Sequence, residues 1–173
     1  MKMIIIDNYL QDQDLLDRLN DKEPWKMLNQ DNKRQIINNY YYNPGEPSNV
    51  WEEVINIVYE DDRLGLKDYE LDRFEYWGNV IDENNTLDWH QDKVEELFPR
   101  LTKLCKVGVV LYCYPHKVWG GSLEIQNDHD LHQEIDRIEC VYNRLVLFDS
   151  GNKFHRVAPV LAGTRYGFQI NLW

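Results

Sequence analysis

The sequence contains little cysteine and no long apolar run. Its three cysteines, Cys105, Cys113 and Cys140, are odd in number, and none belongs to a Cys-x-x-Cys pair. This usage argues against a disulfide framework and against a structural zinc site, and it favours a reducing compartment. The first apolar run ends at Ile6 and is too short for a signal peptide or a membrane span. We therefore predict a cytoplasmic location and no association with a membrane.

Basic residues are also scarce. The chain has 19 Lys and Arg against 30 Asp and Glu, which gives a formal charge of −11 at pH 7. A chain of this charge repels phosphate backbones unless its few basic groups cluster, and the sequence has no basic stripe. Nucleic acid is therefore not expected as a substrate or a partner.

Internal repeats, low-complexity tracts and linker-like stretches are missing as well. The length suits one domain, and a hydrophobic content of 43% with 13% aromatic residues argues against extensive disorder. We expect a single domain over residues 1–173, in which residues 1–69 support a core formed by residues 70–173. The oligomeric state is left open between a monomer and a homodimer.

The first part of the chain predicts supporting elements. Residues 1–6 are expected to form a buried strand with Ile4 to Ile6 packed into the core, and the leucines of residues 12–19 have the spacing of an amphipathic helix. Asn49 and Glu52 form a pair typical of a capping box at the start of a second helix. Residues 21–47 are polar and rich in Asn, with a run of three tyrosines at residues 40–42 and a turn marked by Pro44 and Gly45.

Residues 68–77 alternate between apolar and charged side chains and predict a strand. The acidic residues 92–100 are expected to form a short helix or a lid. Residues 106–114 predict a strong strand, and Gly120 and Gly121 start the next one.

The C-terminal stretch has the clearest strand pattern, because its apolar and polar residues alternate. The apolar face would comprise Tyr166, Phe168, Ile170 and Leu172. The other face would comprise Arg165, Gly167, Gln169 and Asn171. Such a strand suits a sheet that buries one side in a core and lines a polar cavity with the other.

Two short stretches carry candidate metal ligands. In an extended segment residues i and i+2 point the same way, so His90 and Asp92 would present a nitrogen and a carboxylate to one point. His155 lies in a later predicted strand and would complete the set. Two imidazoles and one carboxylate occupy one face of an octahedral ion and leave its other positions open, as in non-haem Fe(II) oxygenases. A closed tetrahedral zinc site has no such room.

Taken singly, each of these residues has a simpler explanation as an exposed polar pair or a core histidine. The combination with Arg165 and with Gly120 and Gly121 favours the iron site. The second close pair of histidines, His129 and His132, lies in a polar stretch without a matching acidic motif, and we interpret it as a solvated loop.

These motifs resemble those of Fe(II)- and 2-oxoglutarate-dependent dioxygenases of the prolyl 4-hydroxylase-like kind, over roughly residues 70–173. The stretches that carry the resemblance are residues 90–92, 120–125, 144–148, 155–157 and 165–170. The resemblance implies a mainly β protein with flanking N-terminal helices (α+β) around a double-stranded β-helix core of the jelly-roll, cupin-like type.

The resemblance also implies roles for the candidate metal site and for Arg165. His90, Asp92 and His155 would be the metal ligands and hence catalytic. Arg165 would pair with the distal carboxylate of 2-oxoglutarate through its planar fork. Collagen-type members tend to have lysine at that position, whereas oxygen-sensing members have arginine.

Four further residues are candidates for contacts to the cosubstrate or the substrate. Tyr112, favoured over Tyr114 on the same predicted face, and Leu123 would contact 2-oxoglutarate. Tyr76, in competition with Phe74 and Trp77, and Asn171 are candidates for contact with the substrate or the cosubstrate.

The implied activity is hydroxylation of an unactivated C–H bond with Fe(II), 2-oxoglutarate and O2, and with release of succinate and CO2. A prolyl or other protein side chain is the first substrate class. The same chemistry on a free amino acid or another small molecule is the alternative, and a non-catalytic jelly-roll binding module is the alternative of another class. The loops at residues 30–47 and 92–101 are expected to decide between peptide and small molecule.

Overall fold

The structure, a computed structural model, describes residues 1–28, 40–71, 73–97, 100–115, 117–126 and 134–173. Its helices are α1 (Gln13–Leu19), α2 (Lys22–Leu28) and α3 (Val50–Glu60), followed by two 3-10 turns, Asp62–Leu64 and Leu66–Asp68. Its strands are β1 (Ile4–Ile6), β2 (Tyr40–Tyr42), β3 (Phe74–Asp82), β4 (Leu87–His90), β5 (Lys93–Leu97), β6 (Arg100–Leu104), β7 (Val107–Leu111), β8 (Trp119–Gly120), β9 (Leu123–Gln126), β10 (Asp136–Ile138), β11 (Leu145–Phe148), β12 (Phe154–Val157), β13 (Val160–Ala162) and β14 (Thr164–Leu172).

Two antiparallel sheets form the core of the described residues. The larger sheet has six strands in the order β1-β11-β7-β14-β3-β2, and the smaller has four in the order β10-β9-β12-β4. The strands that alternate between the two sheets make a double-stranded β-helix. The predicted fold class, a jelly-roll core with N-terminal helices, is therefore confirmed. The boundary between support region and core near residue 70 stays a prediction.

The helices cover the outer face of the larger sheet, as predicted. Asn49 caps α3 by accepting hydrogen bonds from the backbone N–H groups of Trp51 and Glu52 at 2.9 and 3.1 Å. Trp51 is fully buried, and its ring centroid lies 4.6 Å from that of Phe168 on β14. The apolar face of β14 therefore lies in the core beneath α3. No helix in the described part of the chain is long and apolar enough to cross a membrane.

The N-terminal part differs from the prediction in two places. The polar stretch after residue 21 contains α2, whose Trp25 and Leu28 are buried. Pro24 stands in the first turn of α2, where proline removes no helical hydrogen bond, so it does not break the helix. Ile5 of β1 is exposed because β1 is an edge strand that buries only the side of Ile4 and Ile6.

The elements before and after the first metal motif also differ. The predicted strand at residues 68–77 begins only at Phe74 and continues to Asp82, because a 3-10 turn ends at Asp68. The described residues 92–97 do not form the predicted helix. Lys93–Leu97 pairs instead with Arg100–Leu104 as an antiparallel ladder. The histidines 129 and 132 lie outside the described residues.

Candidate active site

Three candidate metal ligands lie together at a cavity between the two sheets. His90 ends β4 and His155 lies in β12, and the two residues are direct partners across these strands. Nε2 of His90 is 3.8 Å from one oxygen of Asp92, and Nε2 of His155 is 3.6 Å from the other. One ligand atom from each residue lies within 4.8 Å of the others, so all three could contact one metal ion.

The hydrogen bonds of the two imidazoles leave both Nε2 atoms directed at Asp92. Nδ1 of His90 lies 2.7 Å from the carbonyl oxygen of Asp88, and Nδ1 of His155 lies 3.2 Å from that of Lys153. A carbonyl oxygen can only accept, so each Nδ1 carries a proton, and the neutral form of each ring has its lone pair on Nε2. Partners of this kind fix the tautomer of metal-ligating histidines.

The ionisation of His155 suits a metal ligand. Burial lowers the pKa of His155 below its ordinary value; Asp92 raises it and His90 lowers it further. The net lowering keeps His155 neutral at pH 7, which is the form of imidazole that binds metal.

Asp92 is placed by backbone hydrogen bonds rather than by a sheet ladder. Its N–H donates to the carbonyl of Ser150 at 3.0 Å, and its carbonyl accepts from Cys105 at 3.0 Å. Among the described residues, its buried Oδ2 has no hydrogen-bond partner. A buried carboxylate oxygen without a donor is costly, and a bound cation would supply the missing partner.

Arg165 lies deeper in the cavity on β14 and is only 1% exposed. Its Nε donates to the carbonyl of Gly121 at 3.0 Å, and its Nη2 donates to the hydroxyl of Tyr112 at 3.1 Å. Its buried Nη1 has no partner in the described part of the chain. A buried guanidinium held by neutral groups is unfavourable until an anion pairs with it, so Arg165 has the chemistry of an anion receptor.

Two glycines make room for the arginine. A Cβ on Gly167 would lie 2.9 Å from Nη1 of Arg165, so the guanidinium folds back along β14 across the bare backbone. Gly121 has φ +68°, and a Cβ there would lie 3.3 Å from Cδ of Arg165. Glycine is therefore needed at position 121 for two reasons: its backbone is left-handed, and the side chain of Arg165 lies close to it.

Tyr112 contacts Arg165, and the expected contacts of Tyr112 and Leu123 with 2-oxoglutarate stay predictions. Tyr112 is fully buried, and burial raises the pKa of its phenol, which therefore keeps its proton. Because its oxygen accepts from Arg165, that proton is available to Cys140 or to an anion on the guanidinium. Leu123 lines the cavity. Tyr114 lies elsewhere, with its ring centroid 4.3 Å from that of Tyr166 in the helix-side core.

Tyr76 does not reach the cavity. It pairs with Ile170 across β3 and β14, so it points toward the helices, where its hydroxyl donates to Glu52 at 3.2 Å. Neighbouring side chains of a strand point to opposite faces, and Trp77 lines the cavity instead. Asn171 lies on the cavity face, as predicted.

Sequence reasoning missed two residues that line the cavity and one that lies behind Arg165. Gln169 was placed on the polar face of β14 but not among the site residues, although alternation already gave its direction. Trp77 could be chosen over Tyr76 only once the β3–β14 register was known. Cys140, whose Sγ donates to the carbonyl of Gly121 at 2.9 Å behind Arg165, carries no motif that would single it out.

The cavity has a volume of about 960 Å³. This lies at the upper end of the range of roughly 300–1,000 Å³ for small-molecule sites. Two imidazoles and a carboxylate around one point, on a double-stranded β-helix with a buried arginine behind them, form the arrangement of a non-haem iron oxygenase.

Comparison of the sequence with protein families gives the same class. The profile of the 2OG-Fe(II) oxygenase superfamily matches residues 76–173. The chain belongs to this superfamily, and it is a 2-oxoglutarate-dependent iron dioxygenase, whose cofactors are Fe(II), 2-oxoglutarate and O2. Comparison with curated proteins gives no significant match.

Solved structures of prolyl hydroxylases share the fold. A prolyl-4-hydroxylase of Pseudomonas putida has a TM-score of 0.63 at 18% identity, over 98% of this chain and 87% of that one. A prolyl hydroxylase of Trichoplax adhaerens, solved with a hypoxia inducible factor peptide, has 0.60 at 17% identity, over 99% and 83%. The viral collagen prolyl hydroxylase of Paramecium Bursaria Chlorella virus-1, solved with 2OG, has 0.63 at 16% identity, over 98% and 94%.

Proposed function

We propose that this dioxygenase hydroxylates an unactivated C–H bond of a protein side chain, most directly a prolyl residue, and releases succinate and CO2. One observation carries the proposal. The cavity holds, among the described residues, two buried polar atoms without a protein partner, Oδ2 of Asp92 and Nη1 of Arg165. The first calls for a cation and the second for an anion, and Fe(II) with 2-oxoglutarate supplies both.

In this proposal His90, Asp92 and His155 hold the iron. Two neutral imidazoles and one carboxylate leave an Fe(II) centre with a net positive charge, which attracts the dianionic cosubstrate. When bound, iron and 2-oxoglutarate together with O2 would supply the oxidising chemistry that the side chains lack. The protein binds and orients these groups and keeps water away from them.

Arg165 and Tyr112 are proposed to bind the distal carboxylate of 2-oxoglutarate. The free Nη1 of Arg165 on β14 and the retained phenolic proton of Tyr112, one residue beyond the end of β7, provide two donors close together. Leu123, which is 2% exposed, would pack against the aliphatic part of the cosubstrate.

Two observations support a protein substrate. The cavity volume of about 960 Å³ leaves space beyond the cosubstrate for a segment of peptide. The Trichoplax adhaerens prolyl hydroxylase of similar fold was solved in complex with a peptide fragment. Both favour a peptide over a free amino acid.

The test is an anaerobic titration of the folded protein with Fe(II) and then 2-oxoglutarate, followed by the visible charge-transfer band of a chelated keto acid. Asp92→Ala should lower iron affinity by more than about 100-fold and remove the band, since it deletes a ligand. Asp88→Ala is the matched control. Asp88 precedes His90 by two residues, as Asp92 follows it by two. The alanine variant keeps the backbone carbonyl of residue 88, which orients His90.

A band in the wild type and in Asp88→Ala, but not in Asp92→Ala, supports the metal site. Consumption of 2-oxoglutarate that rises with proline-containing peptides, with a product 16 mass units heavier by one added oxygen, supports the substrate class. A folded wild-type protein that gives no band at saturating ligand contradicts the proposed site. Turnover stimulated only by free amino acids contradicts the proposed substrate.

A further inference from the structure

Two carboxamide side chains on the cavity face of β14 have no part in holding iron or cosubstrate as proposed above. Gln169 and Asn171 both line the cavity and are 7% and 2% exposed. Polar groups at this depth are normally paired, and amides that face a cavity are available to pair with what binds there.

The hydrogen bond between the two side chains decides which of their atoms remain available. Nε2 of Gln169 donates to Oδ1 of Asn171 at 3.3 Å. This contact uses a donor of Gln169 and the acceptor of Asn171. The Oε1 acceptor of Gln169 and the Nδ2 donors of Asn171 are left, side by side on one strand face.

The strand register places this pair beyond the arginine and level with the metal ligands. Asn171 is the partner of Gly108 on β7, and Gly108 is the partner of Phe148 on β11. The Phe148 ring packs against His155 with centroids 5.0 Å apart. The guanidinium of Arg165 lies across Gly167, so Gln169 follows one step of about 7 Å further along β14, and Asn171 follows two steps further.

The neighbouring strand β3 completes this wall. Trp77 is the partner of Gln169 and lines the same cavity. Glu75 is the partner of Asn171, and its two oxygens accept from Tyr41 and from Trp173 at 3.2 and 2.7 Å. The wall thus offers an aromatic surface and a neutral donor–acceptor pair, beside the carboxylate of Glu75, which also lines the cavity.

We infer that Gln169 and Asn171 bind the backbone of one extended residue of a peptide substrate, beside the residue that is oxidised. The N–H and C=O of an extended residue point to the same side, as in the hydrogen-bonded pairs of an antiparallel ladder. Oε1 of Gln169 accepts the N–H, Nδ2 of Asn171 donates to the C=O, and Trp77 packs against the neighbouring apolar ring or side chain.

The neutrality of the pair selects a peptide over a free amino acid. A carboxylate buried against carboxamides and beside Glu75 would lack the cationic partner that makes its desolvation tolerable, whereas a peptide group needs none. The inference rests on the proposed function, because it places the peptide beside the proposed iron site.

The test uses Gln169→Ala, Asn171→Ala and the double variant, with Gln126→Ala as the matched control. Gln126 is a 5% exposed amide that lies outside the cavity, on β9. The probe is a pool of hexapeptides capped at both ends, each with a central proline and randomised neighbours. Binding is measured by equilibrium dialysis with labelled pool and by the change that the pool causes in the anaerobic charge-transfer band.

Each single variant should weaken binding of the pool about tenfold, since each leaves a buried backbone group of the peptide unpaired. The double variant should lose less than the product of the two, because the amides share one peptide residue. The dissociation constant of 2-oxoglutarate should change by less than about twofold, and Gln126→Ala should match the wild type.

Three results would overturn the inference. These are a wild type that binds L-proline but not the pool, single variants that bind the pool as tightly as the wild type, and variants that weaken 2-oxoglutarate instead of the pool. A wild type without the charge-transfer band contradicts the proposed iron site. In that case equilibrium dialysis still measures binding of the peptide pool, so the two failures can be distinguished.

Discussion

The two faces of β14 have the same backbone and nearly the same burial, but they differ in whether their buried atoms are satisfied within the protein. Phe168, Ile170 and Leu172 on the helix side are fully buried, and Arg165 and Asn171 on the cavity side are only 1% and 2% exposed. The apolar face satisfies every atom by packing. The polar face keeps Nη1 of Arg165 without a partner in the described part of the chain.

This difference separates stability from function within one strand. Apolar contacts lower the free energy of the folded state directly. An unpaired buried guanidinium raises it, and only a bound anion offsets that cost. We therefore expect substitutions on the helix side to change the free energy of unfolding, and those on the cavity side to change ligand affinity.

The largest expected effect is that of Phe168→Ala, which should lower the free energy of unfolding by about 3–5 kcal/mol. Phe168 is fully buried between the rings of Trp51 and Tyr76, so the truncation leaves a cavity. Urea denaturation measures the change, with the more conservative Phe168→Leu as the control for a partly filled site. At urea concentrations below the unfolding midpoint, the variant should bind 2-oxoglutarate with the affinity of the wild type. Weak ligand binding with unchanged stability would mean that the two faces are not separable.

Arg165→Met should have the opposite profile. It removes the only described group that we propose to pair ionically with the distal carboxylate, so the dissociation constant of 2-oxoglutarate should rise about 100-fold, or about 3 kcal/mol. The free energy of unfolding should stay the same or increase, because Met replaces a buried cation that has no counterion among the described residues. Anaerobic titration and urea denaturation measure the two quantities.

Arg165→Lys is the control for charge alone. Lysine keeps the cation but loses the planar fork, so its 2-oxoglutarate affinity should fall between those of the wild type and Arg165→Met. If Arg165→Met binds 2-oxoglutarate normally, the arginine is not the anchor.

The alternation of residues 165–172 was enough to predict both faces of β14, and the structure confirms them. A period of two depends only on strand geometry, so it can be read from sequence. The same reasoning was wrong for Tyr76, because the choice between adjacent residues of a strand depends on a shift of one residue in register. The pairing of Tyr76 with Ile170 directs its side chain to the helices.

The hairpin of β5 and β6 could not be predicted for a related reason. Residues 93–97 show neither strict alternation nor helical spacing, and their strand state comes from pairing with residues 100–104. The polar, Asn-rich composition of residues 21–47 gave no signal for the helix α2, in which Pro24 is compatible with the first turn. Local sequence patterns predicted the elements that are amphipathic. The other elements depend on the segments with which they pair or pack, which a local pattern does not show.

The need for glycine at position 167 depends on the side-chain path of Arg165, which no pattern of letters reveals, and it gives the smallest predicted effect. In Gly167→Ala the new Cβ would lie 2.9 Å from Nη1 and 3.4 Å from Cζ of Arg165, so the guanidinium must move. The dissociation constant of 2-oxoglutarate should rise about tenfold, or about 1.4 kcal/mol. Alanine is compatible with this strand backbone and restricts the unfolded chain, so stability should change by less than about 1 kcal/mol.

The control for the added methyl group is Gly45→Ala, where the nearest atom to a Cβ is the carbonyl oxygen of Asn43 at 3.7 Å. It should leave 2-oxoglutarate binding unchanged. The decisive comparison is Gly167→Ala in the Arg165→Met background, measured by the same anaerobic titration. If the glycine acts by making room for the guanidinium, its substitution should have no further effect once the guanidinium is gone. A tenfold loss that persists in that background would mean that Gly167 contacts the ligand itself.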